Sequence, residues 1–76
     1  MNKRTYNRTW VEIDATVEEA IKRQNWHLMS LRGNKLTKKQ KMNHMRAYKG
    51  LEGVINMGEW ALGNKDITKE KVLGDE

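Results

Sequence analysis

Several residue types that support particular functions are missing from this chain. It contains no cysteine, no proline and no phenylalanine. Without cysteine there is no disulfide, no thiolate nucleophile and no thiolate metal site, and this absence agrees with a reducing compartment. No apolar stretch approaches the roughly 20 residues that span a bilayer, and no signal-peptide core follows the basic start. We therefore expect a cytoplasmic protein with no membrane partner.

Size and charge narrow the class of protein further. A chain of 76 residues makes one small domain, which is marginal in stability unless it self-associates. Few runs of β-branched residues predict strands, so the expected class is all-α. The net charge is +5, and the isoelectric point is about 9.7. A surplus of this size indicates an anionic partner, or it serves solubility alone.

The stretch 37–63 carries the longest helical pattern. Thr37 and Gln40 form a Thr-x-x-Gln capping box, and Gly63 is typical of the residue after a helix end. Between these signals the apolar residues keep helical spacing. The residues of this pattern are Ala47, Tyr48, Leu51, Val54, Ile55, Gly58, Ala61 and Leu62.

Three glycines inside that stretch leave an alternative open. Gly50, Gly53 and Gly58 each cost a helix about 1 kcal/mol relative to alanine. Either backbones approach closely at these glycines, or the helix breaks near Gly50 to Gly53, which gives separate helices 37–49 and 54–62 and a helix-turn-helix-like fold. The apolar pattern keeps its phase across the glycines, which favours one continuous helix.

A first helix is predicted over residues 9–32. Thr9 and Glu12 form its capping box, and Gly33-Asn34 ends it. Its apolar face consists of Trp10, Ile13, Val17, Ala20, Ile21, Leu28 and Leu31, with Gln24 as the one polar member. A short connection between two long helices predicts an antiparallel hairpin, in which position i lies roughly opposite position 69 − i.

The two ends of the chain are expected to lie outside this hairpin. Residues 1–8 hold three cations and no acid, and they form either a frayed terminus or a basic arm that grips phosphate. Residues 64–76 are predicted to be a charged, mostly flexible tail, although Ile67 is expected to pack back on the hairpin. The domain is thus residues 9–63.

Charge is distributed unevenly along the chain. From residue 20 to residue 51 there is no Asp or Glu, whereas the same stretch holds nine cations and both histidines. A hairpin gathers these cations at its tip, and cations around a helix N-terminus favour an anion. The plainer interpretation is a solvated basic face. The predicted anion- or nucleic-acid-binding residues are Lys22, Arg23, Arg32, Lys35, Lys38, Lys39, Lys41 and Arg46.

Some large apolar residues do not fit a two-helix core. The residues predicted to stack on or bind a partner are Trp26, Met29, Met42 and Trp60. Trp26 lies beside cations, where it would stack on a base, or it is covered by an interface. Apolar residues on additional sides of both helices also predict self-association, most simply as two hairpins in a four-helix bundle.

Catalytic and metal chemistry is not expected. Ser30 is the only serine, and no glycine-rich phosphate loop is present. His27 and His44 should lie at one level of the hairpin, but no carboxylate between residues 20 and 51 completes a metal site. We expect no enzyme activity, no catalytic residue, no metal and no cofactor.

The second helix resembles a known family in a few positions. Leu51-Glu52, Met57, Trp60-Ala61 and Ile67-Thr68 look like the closing helix of a small phage helical-hairpin domain. That family includes oligomeric anti-defence proteins that sequester the cyclic nucleotide signals of bacterial immunity. The resemblance implies an oligomeric hairpin acting in the host cytoplasm.

Two hypotheses for function follow from these patterns. The first is a non-enzymatic module that binds DNA or RNA through the hairpin tip, with binding that weakens steeply as salt rises. The second is a phage-type accessory protein that inhibits a host protein or sequesters a signalling nucleotide. Charge favours the first.

Overall fold

The protein is all-α over residues 3–33 and 35–75, which the computed structural model describes. Helix α1 spans Trp10–Leu31, helix α2 spans Lys38–Ala61, and a short helix α3 spans Lys69–Leu73. Helices α1 and α2 pack side by side in opposite directions, and no strand occurs within the described ranges. The predicted hairpin is confirmed, and its assembly into a bundle stays a prediction.

Both long helices begin at the predicted capping boxes. The Thr9 hydroxyl accepts the Glu12 amide at 3.1 Å, and the Thr9 amide donates to the Glu12 carboxylate at 3.3 Å. The Thr37 hydroxyl accepts the Gln40 amide at 3.1 Å, and the Thr37 amide donates to the Gln40 side chain at 2.9 Å. Each box satisfies two amides that a helix start otherwise leaves unpaired.

The continuous form of the second helix is confirmed. Helix α2 runs unbroken through Gly50 and Gly53, and Gly63 ends it with a φ of 90°. Helix α1 ends at Leu31, and the Gly33 amide donates to the Ser30 carbonyl at 3.1 Å. The predicted bounds were one or two residues too long at the helix ends, and Asn34 lies outside the described residues.

The core of the hairpin is small and lies towards its open end. Val17 and Ala20 are the buried apolar residues of the described chain. Gly58 of α2 lies directly against Val17, and a Cβ atom at residue 58 would overlap the valine side chain. The close approach of the helices at this point therefore depends on the absence of a side chain at residue 58.

The helix register differs from the predicted one. Val17 meets Gly58 instead of Leu51 and Glu52, which is a shift of about six residues, and His27 meets His44, a shift of two. Six residues separate Leu31 from Lys38, and Thr37 is extended, so the connection lets α2 begin farther out than a four-residue turn would. The first turn of α2 consequently projects past the end of α1.

Two residues assigned to the apolar faces are exposed. Trp10 is the first residue of α1, and α2 ends beside it before the chain turns at Gly63, so little covers the indole. Val54 lies on the edge of the α2 face and borders a groove. The predicted faces were therefore wider than the surface that one neighbouring helix covers.

The tail contains a helix that the sequence patterns did not predict. Thr68 caps α3 by accepting the Lys71 amide at 3.1 Å, and Gly74 ends it with a φ of 82°. Helix α3 contacts α2, and Ile67 is half-buried. Residues 3–9 precede α1 without regular structure, while Met1, Asn2 and Glu76 lie outside the described residues.

Candidate nucleic-acid interface

The eight cations that are predicted to bind an anion lie along the half of the hairpin that contains the connection. We call this surface the basic tip. All eight side chains are exposed. Because α1 ends and α2 begins here, residues far apart in sequence share one end of the molecule. The basic tip consists of Lys22, Arg23, Arg32, Lys35, Lys38, Lys39, Lys41 and Arg46.

Ion pairs mark the border of the basic tip. Arg23 pairs with Glu19 at 3.1 Å, and Glu19 is the last acid before the acid-free stretch begins. At the other border Lys49 pairs with Glu52 at 3.4 Å. No other cation of the basic tip pairs with a described carboxylate, so seven of the eight charges are available to an anion.

The start of α2 concentrates this positive charge. Lys38, Lys39 and Lys41 lie in or beside its first turn, which holds no acid. The capping box uses the amides of Thr37 and Gln40, and no described residue accepts the amides of Lys38 and Lys39. Two free amides and three lysines therefore belong to the first four residues of α2, and the helix dipole adds to their positive field.

A histidine pair connects the two helices within the half of the hairpin that carries the basic tip. The Nδ1 atoms of His27 and His44 lie 2.8 Å apart, and both rings are half-buried. One nitrogen donates and the other accepts, so the pair requires a hydrogen on only one Nδ1. The sequence predicted a common level for these residues but not the direct bond, which depends on side-chain direction.

Trp26 packs on this histidine pair and faces solvent. Its ring centroid lies 4.8 Å from that of His27 and 5.4 Å from that of His44, at interplanar angles of 73° and 65°. The residue is nevertheless 61% exposed. Trp26 thus packs against residues of both helices, and much of its surface stays available to a ligand.

The other predicted contact residues do not gather around Trp26. Met29 and Met42 are exposed and belong to the half of the hairpin that carries the basic tip. Trp60 is exposed near the C-terminal end of α2, at the opposite end of the hairpin. Met45, which no sequence pattern marked as a contact residue, is also exposed.

A groove along one side of the hairpin was missed by sequence reasoning, and we call it the glycine groove. It has a volume of about 810 Å³, and its apolar lining includes Ile13, Val17, Gly53, Val54 and Met57. It lies towards the open end and includes none of the eight tip cations. No pattern along one helix reveals it, because it depends on which part of α2 stays uncovered by α1.

Arg8 and Glu12 stand at the rim of the glycine groove. The Arg8 guanidinium donates to the Glu12 carboxylate at 3.1 Å. The Thr9 amide, the Arg8 side chain and the Thr9 hydroxyl all favour the ionised form, in that order, and they lower the pKa of Glu12. The side chains are exposed, so this pair contributes little to stability.

The described part of the chain contains neither a cluster of metal-binding side chains nor a membrane-spanning helix. Within residues 3–33 and 35–75 no group of three or more His, Cys, Asp or Glu side chains is placed to hold a metal ion. No helix in these ranges is both long and apolar enough to cross a membrane.

Known proteins do not indicate a function for this surface. Comparisons with protein-family models, with curated proteins and with solved structures gave no match. The likeness to phage helical-hairpin domains therefore rests on the sequence positions alone.

Proposed function

We propose that this protein is a non-enzymatic module that binds nucleic acid through the basic tip. One observation carries the proposal: no acid interrupts residues 20–51, and the hairpin presents eight of the nine exposed cations of this stretch, those of the basic tip, around one end. A polyanion with regularly spaced phosphates contacts several such cations at once and releases its own counterions as it binds. Arg8 does not belong to this surface, because it lies at the open end of the hairpin and pairs with Glu12.

The arrangement of α2 also supports this proposal. Its lysines oppose the helix dipole, which costs on the order of a few tenths of a kcal/mol for each charge. A bound phosphate removes this cost, because its negative charge complements both the dipole and the ammonium groups. A solvated face that served only solubility would gain nothing from placing cations at this position.

Fluorescence anisotropy with labelled DNA and RNA at about 50 mM salt tests the proposal. The tip variant K38Q/K39Q/K41Q is compared with the tail variant K65Q/K69Q/K71Q, which removes the same charge from exposed lysines elsewhere. We expect the tip variant to bind at least about tenfold more weakly than the tail variant. Equal losses in the two variants, or no binding by the unmodified protein, would contradict the proposal.

We further propose that the hairpin self-associates. Only Val17 and Ala20 are buried among the described residues, while the glycine groove leaves Val54 and Met57 exposed. A second hairpin packed on this side would enlarge the core to that of a four-helix bundle. Light scattering tests this idea, since a mass of one chain at high concentration would contradict it.

The glycine groove also favours a second candidate function. An apolar groove with Arg8 and Glu12 at its rim has the size and lining of a small-molecule site. In this case the protein sequesters a signalling nucleotide or inhibits a host protein, as the resemblance to phage anti-defence domains implies. Thermal shift assays with cyclic dinucleotides test this alternative, and an unchanged melting temperature across the series counts against it.

A further inference from the structure

We infer that the ligand of the basic tip is a single-stranded nucleic acid, one of whose bases stacks on Trp26. The inference rests on the proposed function, because it names the class of nucleic acid that the same surface selects. Trp26 is 61% exposed. An indole is the largest apolar side chain, and leaving it in water gives up stabilisation that burial would supply.

The neighbours of Trp26 hold the ring without covering it. Both imidazoles meet the indole at steep angles of 73° and 65°, so neither lies flat on it. These edge contacts stabilise the aromatic group and leave room for a parallel partner. A planar base is such a partner, since every base has a π-face that stacks on an aromatic side chain.

The position of the indole is fixed before a ligand arrives. His27 belongs to α1 and His44 to α2, and the 2.8 Å contact between them joins the helices at the point where Trp26 rests. A side chain that is already ordered loses little conformational freedom on binding. The histidine pair therefore acts as a support that positions Trp26.

The surrounding charge selects a nucleotide over an apolar partner. Lys22, which pairs with no described carboxylate, and Arg23, which pairs with Glu19, lie one turn before Trp26 on α1, and no acid occurs between residues 20 and 51. A strand whose base stacks on Trp26 would bring its phosphates close to these cations. A protein surface that buried the indole would instead have to desolvate the neighbouring charges or supply acids to pair with them.

The expectation of a single strand, and not a duplex, depends on whether a base is free to stack on Trp26. In a duplex, each base is stacked between its neighbours and paired, so an exposed tryptophan has no free base face to contact. An unpaired base is available without that cost. Duplex binding at the tip would depend on phosphates alone and would not involve Trp26.

Binding measurements with two variants of residue 26 test this inference. W26L keeps an apolar side chain but removes the π-face, whereas W26F keeps a smaller π-face. Each is titrated with a single strand of about 12 nucleotides and with the matching duplex. Circular dichroism and light scattering verify that both variants keep the helicity and the mass of the unmodified protein.

The expected result is specific to single strands. W26L should bind the single strand about 5- to 150-fold more weakly than the unmodified protein, W26F should recover part of the loss, and duplex binding should not change. In a W10F/W60F background, where Trp26 is the only indole, saturation with the single strand should quench its fluorescence.

The remaining outcomes separate the two proposals. If W26L loses no affinity for the single strand while K38Q/K39Q/K41Q does, the stacking inference is overturned and the proposed function stands. A W26L protein with a smaller oligomeric mass would show that Trp26 belongs to an interface between copies, which also overturns it. If no nucleic acid binds at all, both proposals fail.

Discussion

The two ends of the hairpin are built differently. Towards the open end, Val17 packs against Gly58, the ends of both helices carry acids, and α3 adds a contact to α2. At the tip the helices are joined by the polar His27–His44 contact, Trp26 is exposed, and no acid is present from residue 20 to residue 51. The open end thus holds the apolar packing and the acids, and the tip holds the concentrated positive charge.

This difference separates stability from binding along one short molecule. A close helix contact needs small or apolar residues at the point of contact, and the region around Val17 supplies them. A polyanion needs exposed cations without competing acids, and the basic tip supplies those. Substitutions at the open end should therefore change the free energy of unfolding, whereas charge substitutions at the tip should mainly change binding.

The largest expected effect comes from a charge in the core. Val17→Asp places a carboxylate without a partner where the side chain is 2% exposed, and it should lower the free energy of unfolding by about 3 to 5 kcal/mol. Val11→Asp on the same helix is the matched control, because Val11 is 79% exposed. Urea titration followed by circular dichroism measures both. Similar midpoints would show that the core does not lie at Val17.

A pair of glycines tests where the helices touch. Gly58→Ala adds a methyl group that overlaps Val17 and should destabilise the protein by about 1 to 2 kcal/mol. At residue 53 an added methyl group contacts nothing else in the same chain. Gly53→Ala should therefore stabilise α2 by about 0.5 to 1 kcal/mol. The same urea titrations measure both changes.

The outcome for Gly53 also bears on self-association. If a second copy packs in the glycine groove, Gly53→Ala should lower the oligomeric mass measured by light scattering, even though it favours the helix. A mass that is unchanged by the substitution would place any interface on another surface of the hairpin.

The histidine pair should contribute less than the apolar contact. His44→Ala removes one partner of a half-buried hydrogen bond and should lower the free energy of unfolding by about 1 kcal/mol. Asn43→Ala alters the exposed neighbouring position and serves as control. Equal stabilities for the two variants would mean that the pair does not hold the tip together.

The smallest expected effect is a pH dependence of stability that comes from the capping box of α1. The pKa of Glu12 is lowered by the Thr9 amide and then by Arg8, so its stabilising effect is present above the pKa of the unfolded chain and is lost as pH falls through the lower folded value. Glu12→Gln should remove this part of the acid dependence of the melting temperature. The corresponding residue of α2 is Gln40, which does not titrate, so Gln40→Glu should introduce a comparable dependence there. Acid profiles that neither substitution changes would rule out this role for the caps.

Local features of the fold were predictable from the sequence. The capping boxes at Thr9 and Thr37 and the stop at Gly63 depend on residues a few positions apart, and the structure has all three. The acid-free stretch forms one positively charged end once the chain folds into a hairpin, and the sequence predicted both features. Helix α3 was missed because five residues are too short for a periodic pattern.

Features that depend on two helices together were not predictable. The register followed from the path of the connection and from the fit of Val17 against Gly58, neither of which one helix encodes alone. The edge contacts of Trp26 with His27 and His44 likewise require side-chain directions on both helices. The glycine groove appears only once the register is known.

The salt dependence of nucleic-acid binding tests the central claim most directly. The slope of the logarithm of the binding constant against the logarithm of salt concentration counts the phosphates that the protein neutralises. For a single strand, the slope for K38Q/K39Q/K41Q should be shallower by about 2 than that for the unmodified protein, while K65Q/K69Q/K71Q should keep the original slope. Equal slopes for all three proteins would contradict the assignment of the basic tip as the binding surface.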